Sequence, residues 1–402
     1  MSHNDQALPF PLRYDTTLEP PKEWAQLRGQ CPMATIELPS GDHATLFTRY
    51  EDIKILLADA RFTRPTAADN AARVAPEGSG GVVANGTVVR PEGEAHQRWR
   101  RLVGKYFTAK RMAALRPSMI ATTERLIDDM VHKGAPADLK ANVGFPLPVY
   151  VICDMLGVPA DDSYRFSHWS DTILSITSHS QEESGTAMGE FVQYMSAHIE
   201  AKRASRTDDL IGMLIRESEG EGQGMSDAEL LDTAMGLLVA GHETTANAIS
   251  KMVAMLLADR TRWEQLLADP SLVRTAVEES LRLDVNHGFG LRRYLPEAAE
   301  MAGQTLPAGT TVVCAIASAN RDETVFDHAD QMDLGRAPNP HLAFSVGSHS
   351  CLGQALARTE MQVALETLLR KLPTLELAVP AEELQRMEGM LVGGLREVPV
   401  RW

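Results

Sequence analysis

The stretch HLAFSVGSHSCLGQALARTEMQVALETLLRKL, residues 341–372, decides how the chain reads. After Cys351 come Leu352 and Gly353, and then a strongly periodic run that predicts a helix. The thiol therefore stands at or near a helix N-terminus. Unpaired N–H groups and the positive end of the dipole favour an anion there. Such a position is expected to lower a thiol from about 8.5 towards the thiolate range. Upstream, Gly347 and the small Ser345, Ser348 and Ser350 make a loop that can approach a flat ligand closely, and Phe344 is placed to shield the sulfur. Taken alone, a cysteine at a helix start is more often structural than a ligand. A zinc reading of His349-Ser350-Cys351 fails because no partner pair with zinc spacing is present.

A second segment points the same way. Ser226-Asp-Ala-Glu229 is a capping box, and the pattern behind it runs to about Leu257 without a proline. At 1.5 Å per residue that helix is roughly 45 Å long. Residues 234–240, AMGLLVA, are apolar on every face and are expected to be buried all round. Gly241, His242, Glu243, Thr244 and Thr245 follow directly. Gly and Thr in mid-helix cost roughly 0.5–1 kcal/mol each against Ala. A polar cluster inside a buried helix must be satisfied or functional. On this segment alone two readings stay open. One is a weakened helix whose Glu243 reaches solvent or a buried partner; the other is a kink that opens carbonyls to a bound water or ligand.

The 402 residues would by length suggest two or three domains. A hydrophobic fraction of 44% supplies a large core, and a net charge of -15 argues against nucleic-acid binding. Cys31, Cys153, Cys314 and Cys351 are scattered, which is neither a disulfide framework nor a zinc-finger spacing and fits a reducing cytoplasm. MSHNDQALPFPLRYD has no apolar signal core, and no apolar run reaches the roughly 18–20 residues that span a bilayer. A soluble cytoplasmic protein without membrane association is expected. The first 60 residues suggest short strands, 64–95 a long irregular loop, and 96–260 mostly helix. Strand signals return at 311–316 and at REVPVRW, 396–402. The expected class is mainly α with a minor β-sheet region.

Phe344-x-x-Gly347-x-His349-x-Cys351-x-Gly353 resembles the haem-binding loop of the cytochrome P-450 family. The resemblance extends over about residues 10–402 and implies a single domain, 1–402, with haem b between the long central helix and the helix after the cysteine. It implies Cys351 as the axial thiolate ligand of the iron. Ser345 departs from the glycine most common in the family, which is expected to tune the site rather than abolish binding. Ala240-Gly-His-Glu-Thr-Thr245 looks like the family's oxygen-activation motif, and Glu279-Ser-Leu-Arg282 is similar to its E-x-x-R element. At i and i+3 that pair shares a helix face and would by itself read as a solvated ion pair. The resemblance instead implies a buried structural trio with Arg336. His96-Gln-Arg-Trp-Arg100 resembles the segment that grips the haem propionates, and Arg293 and His349 match further propionate positions. With Ala240, Phe344, Gly347 and Gly353 these complete the implied cofactor-binding set.

The implied activity is that of a haem-thiolate monooxygenase, which inserts one atom of O2 into a C–H bond or an alkene. Thiolate ligation favours O–O cleavage. Glu243 and Thr244 match an acid–alcohol pair that passes protons on the distal side. No segment resembles a flavin or iron–sulfur domain, so a separate ferredoxin and ferredoxin reductase drawing on NAD(P)H are expected. Arg98, Arg101, Lys105, Lys110 and Arg111 could attract an acidic ferredoxin, or form an ordinary solvated face. By family position the substrate pocket is expected at the 64–90 loop, Gly236, Val239 and Ala240, the 285–291 segment with Val285, Phe289 and Leu291, and Met390-Leu391. These mostly small or apolar residues suit a sizeable lipophilic molecule. The 285–291 segment lacks the proline that the family carries soon after E-x-x-R, and Asn286 and His287 could add polar contacts there. The chain most resembles actinobacterial enzymes that oxidise polyketides, macrolides and terpenoids. Two rivals are a peroxide-driven peroxygenase, which would bring its own protons and not need the acid–alcohol pair, and a non-catalytic haem protein that binds gas or ligand.

Overall fold

The computed structural model describes residues 7–402 apart from 65–67, 69, 78, 80–91, 206, 220–223 and 285–287. The helices are α1 (Glu23–Gln30), α2 (Tyr50–Ala58), α3 (Gly93–Gly104), α4 (Ala109–Lys133), α5 (Pro146–Leu156), α6 (Ser163–Leu174), α7 (Gln181–Ala204), α8 (Leu210–Ser218), α9 (Asp227–Ala258), α10 (Arg260–Ala268), α11 (Val273–Leu283), α12 (Ile316–Ala319) and α13 (Gln354–Lys371). The strands are β1 (Leu8–Pro9), β2 (Met33–Glu37), β3 (His43–Phe47), β4 (Ala137–Asp138), β5 (Leu291–Leu295), β6 (Ala299–Met301), β7 (Gln304–Leu306), β8 (Thr310–Cys314), β9 (Glu376–Leu377) and β10 (Pro399–Arg401).

They form a five-stranded sheet in the order β1-β2-β3-β8-β5, a three-stranded sheet β4-β10-β9, and the hairpin β6-β7. The mainly-α class with minor sheet is thus observed. The first 60 residues hold more than the expected strands. Ile53, Leu56 and Leu57, at i, i+3 and i+4, are buried on one face of α2. Among the described residues, 64–92 carry no helix or regular strand.

α9 organises the interior. The Ser226 hydroxyl accepts from the Glu229 N–H at 3.2 Å, and Glu229 Oε2 accepts from the Ser226 N–H at 2.7 Å. Those bonds satisfy donors that a helix start otherwise leaves open. The helix then runs unbroken through Gly241–Thr245. In its C-terminal half Ile249, Met252, Val253 and Leu256 are fully buried. Each such side chain contributes roughly 1.5–3 kcal/mol. α5, α11 and α13 pack around it.

All-round burial of 234–240 does not hold. Gly236 is half-buried and Ala240 is exposed, although both lie far from the helix ends. Gly236, Ala240, Thr244 and Ala248 follow one another at steps of four, so they share one helix face, and that face borders an internal cavity.

Behind α13 lies a buried ion cluster. Arg282 donates to both oxygens of Glu279 at 2.8 Å, and its remaining donors reach the carbonyls of Asn320, Ala329 and Gln331. Arg336 Nε lies 3.1 Å from both Glu279 oxygens; the Asp333 N–H and the Asn339 amide also donate to that carboxylate. Burial opposes ionisation of Glu279. The bonds from Arg282, Asp333 and Arg336 outweigh it and hold the carboxyl below its ordinary value.

Glu279→Gln strands two guanidinium groups. It is expected to destabilise the fold by about 3–5 kcal/mol, read as a lower denaturant midpoint. A midpoint within error of the parent would remove the cluster from the list of structural supports.

Candidate functional site

Cys351 lies between a short 3-10 turn, Gly347–His349, and the start of α13. Its N–H donates to the Phe344 carbonyl at 2.8 Å, which closes the loop on itself. Gly347 has φ 77, and a Cβ there would lie 2.7 Å from the Leu57 carbonyl oxygen and 2.9 Å from the Ala58 Cα. Only glycine lets the loop rest against the end of α2. Ser345 takes a left-handed φ of 58, a conformation costly for a residue with a Cβ. The Cys351 side chain sits deep in the fold yet is open to a water-sized molecule, because it faces the cavity and not the outer surface. Burial pushes its thiol up, against the Gly353 N–H and the charges of Arg100 and Arg358, which pull it down. The lowered thiol expected from the helix terminus is therefore corrected: in the protein alone, desolvation wins.

The cavity holds about 450 Å³, within the roughly 300–1,000 Å³ usual for ligand sites. One wall is the loop, with Phe344, Ser345, Cys351 and Gly353. The facing wall is the α9 stripe of Gly236, Ala240, Gly241, Thr244 and Ala248. Gly241 packs against α5, where a Cβ would lie 2.8 Å from the Ile152 side chain. The Thr244 hydroxyl donates to the Ala240 carbonyl at 2.9 Å.

Glu243, one residue earlier, is buried and does not line the cavity. Its Oε1 accepts from Asn247 Nδ2 at 2.8 Å, and Oε2 is buried with no hydrogen-bond partner among the described residues. Burial raises its pKa, although the Lys140 ammonium and the Asn247 amide favour the charged form. Asp171 is lifted to about 6 chiefly by burial and then by the Glu243 charge. His242 is held down to about 4 by burial, with Nδ1 2.7 Å from the Leu238 carbonyl.

At the cavity's edge stand Arg64, His96 and His349. The rings of His96 and His349 are 4.2 Å apart. His96 Nε2 lies 3.1 Å from the Ser348 carbonyl, and Arg100 donates to the Ser350 carbonyl at 2.8 Å. Glu92 joins His349 (2.8 Å) and Arg64 (2.8 Å). Burial opposes its charge, but these bonds bring its carboxyl to about 2. Arg293 is 5% exposed, and among the described residues its guanidinium meets the Arg292 carbonyl at 2.8 Å and no carboxylate. A buried cation without a counter-ion calls for an anion. A thiol on one wall and a buried cation with further donors near one edge together fit a haem with its propionates. Among the described residues no group of three or more His, Cys, Asp or Glu is gathered as a metal cluster.

Of the residues expected to meet substrate, Leu291 lines this cavity, as do Gly236 and Ala240. Phe289 and Met390 line a second cavity, bounded also by residues 11–17 and 384–389. Val239 and Leu391 pack with Leu174, Met390 and Val392 in an apolar cluster. Val285, Asn286 and His287 lie outside the described residues. Arg64 lines the cavity from the 64–90 loop expected there, while residues 65–67, 69, 78 and 80–90 of that loop lie outside the described residues; sequence reasoning missed Glu92. It also missed Glu360 on α13, which is fully buried beside Thr245, its carboxyl held well above the usual range by burial. Only Glu360 had a visible signal, as a carboxylate inside an apolar periodic run.

The family model described as Cytochrome P450 matches residues 161–269 and 264–392. Mycinamicin IV hydroxylase/epoxidase from Micromonospora griseorubida is 40% identical over 403 residues, covering 100% of both chains. Nocardicin C N-oxygenase from Nocardia uniformis subsp. tsuyamanensis is 39% identical over 396 residues, 98% of each chain. Among solved structures, the LnmA cytochrome P450 hydroxylase from the leinamycin biosynthetic pathway of Streptomyces atroolivaceus S-140 superposes with a TM-score of 0.89 at 36% identity, covering 98% of this chain and 100% of that one.

Ser345→Gly removes the left-handed strain. It is expected to raise stability by about 0.5–1 kcal/mol, visible as a higher Tm. A drop in Tm would mean that the serine side chain makes a compensating contact.

Proposed function

The chain belongs to the cytochrome P450 family, and on that premise we propose that Cys351 is the axial ligand of the haem iron, that Glu243 and Thr244 deliver protons, and that His96, Arg100, Arg293 and His349 hold the propionates. The protein is a monooxygenase with haem as its cofactor. The observation that carries the residue assignment is the single cavity with Cys351 on one wall and the Thr244 stripe on the other.

Bound haem supplies oxygen activation, in which one atom of O2 enters a C–H bond or an alkene and the other leaves as water. The chain's own residues do the rest. Phe344 and the Cys351 N–H bond hold the loop that presents the sulfur. Thr244 lines the cavity and its hydroxyl donates a hydrogen bond to the Ala240 carbonyl, which leaves the lone pairs of its oxygen able to accept from an incoming donor. Glu243, kept protonated over a wider pH range by burial, is the acid behind it. Since its carboxyl lies outside the cavity, a side-chain rotation or a water between Glu243 and Thr244 completes the path. The charges of Lys140 and Asp171 are felt at Glu243, the first favouring and the second opposing its ionised form.

The substrate we infer is a lipophilic natural product of the polyketide, macrolide or terpenoid kind. The apolar Phe107, Leu237, Leu281 and Leu291 on the cavity wall support this, as does the mycinamicin IV named for one relative. Bacterial members of this family draw electrons from redox partners. We assign that role here to a ferredoxin and its NAD(P)H-dependent reductase. Arg101, Lys110 and Arg111 are exposed for such docking, while Arg98 and Lys105 are paired with Glu229 and Glu217. We read 1–402 as one domain, because α9 packs against helices from both halves of the chain. Among the described residues no helix is long and apolar enough to cross a membrane, which accords with a cytoplasmic site of action.

Reduced under carbon monoxide, the haem-loaded protein is expected to show the red-shifted band of a thiolate-ligated haem, and Cys351→His to lose it. Folded parent protein without that band would end the assignment. Thr244→Ala is expected to keep consuming NAD(P)H while forming less product. Glu243→Gln, which has no proton to give, is expected to slow turnover by about 10²-fold with substrate binding retained. Unchanged coupling in both variants would place proton delivery elsewhere.

A further inference from the structure

Arg358 on α13 stands with its guanidinium carbon 4.4 Å from the centre of the Phe344 ring. It is held there from behind. Nε lies 2.7 Å from Glu278 Oε1 and the second fork nitrogen 3.0 Å from Oε2, while the third meets Gln354 Oε1 at 3.0 Å. His341 Nε2 lies 3.0 Å from the same Glu278 carboxylate, and its ring stands 6.0 Å from Phe344. Glu278 sits on α11, next to the Glu279 that fixes that helix. The guanidinium, carboxylate and ring thus form a clamp whose inner jaw, Phe344, accepts the hydrogen bond from the Cys351 N–H. A planar fork can bind a carboxylate bidentately and stack on a ring at once; an ammonium cannot.

The arrangement is more than packing. The Arg358 side chain is 30% exposed, so its charge is incompletely buried and needs no partner for solubility. Its charge is nonetheless fixed against the residue whose carbonyl accepts the Cys351 N–H, seven positions beyond the cysteine on α13.

Resting on the reading of Cys351 as the haem ligand, we propose that Arg358, oriented by Glu278, is a positioning residue that sets the reduction potential of the haem centre. One electron from the redox partner lowers the charge of the haem–thiolate unit by one, with no proton taken up. A positive charge fixed against the loop favours that more negative state. Glu278 acts on the same equilibrium with the opposite sign.

The experiment is an equilibrium redox titration of the haem-loaded parent, R358M, R358K and E278Q, each checked for the thiolate-type carbon monoxide spectrum. R358M should shift the reduced-to-oxidised ratio at a fixed potential down by about tenfold, a change of 59 mV for one electron. R358K, which keeps the charge, should fall between R358M and the parent. E278Q should shift the ratio upward. Shifts of the same sign in R358M and E278Q, no shift in either, or equal shifts in R358M and R358K would overturn the proposal. Should R358M fail to hold haem, E278Q decides alone, and a downward or absent shift there sinks the idea. Loss of the thiolate spectrum in the parent would instead refute the ligand assignment on which this rests.

Discussion

Two adjacent carboxylates on α11, Glu278 and Glu279, hold the Cys351 loop from both sides. Glu279 gathers Arg282, Arg336, Asn339 and the Asp333 N–H, so the irregular segment leading to the loop is tied to a helix. Glu278 takes His341 on that same segment and Arg358 on α13, beyond the cysteine. Neither carboxylate could be buried without these partners, since a bare charge in such a place costs several kcal/mol. Once paired, Glu279 fixes the chain leading into the turn and Glu278 fixes it on both ends, where the turn has little regular structure of its own. The position of one sulfur depends on those bonds.

The opposite wall is built by leaving things out. Gly236, Ala240 and Ala248 put almost no side chain on one face of α9, while Leu230, Leu238 and Ile249 anchor other faces in the core. The helix can hold an open space against it because Leu230, Leu238, Ile249 and Val253 are packed into the core on its other sides. The polar residues divide accordingly: Thr244 turns to the space, and Glu243 and His242 turn to the protein. Neighbours on a helix point about 100° apart, which separates Glu243 from Thr244 while keeping them one residue apart.

Features carried by near neighbours were legible in advance. The capping box at Ser226 and Glu229, the helix behind Cys351 and the tight turn at Gly347 all follow from spacing within a few residues. Pairings across long separations were not. Glu92 meets His349 across 257 positions, and nothing in either neighbourhood announces the other. Phe289 and Met390 share a second cavity instead of the one with Cys351, because a family position places a segment and not the side on which each residue points. The departure at Ser345 was visible as a letter; only the backbone showed that it sits at φ 58.

From the chain alone came the loop that bears Cys351, the long helix opposite it and the class of fold, because motif spacing and apolar period are short-range properties of a polymer. Folding decided the ionisation of the groups. A helix start argued for a thiolate at Cys351, yet burial raises the thiol, and burial equally lifts Glu243. Desolvation depends on every atom packed around a charge, and those atoms are brought together only when distant segments meet.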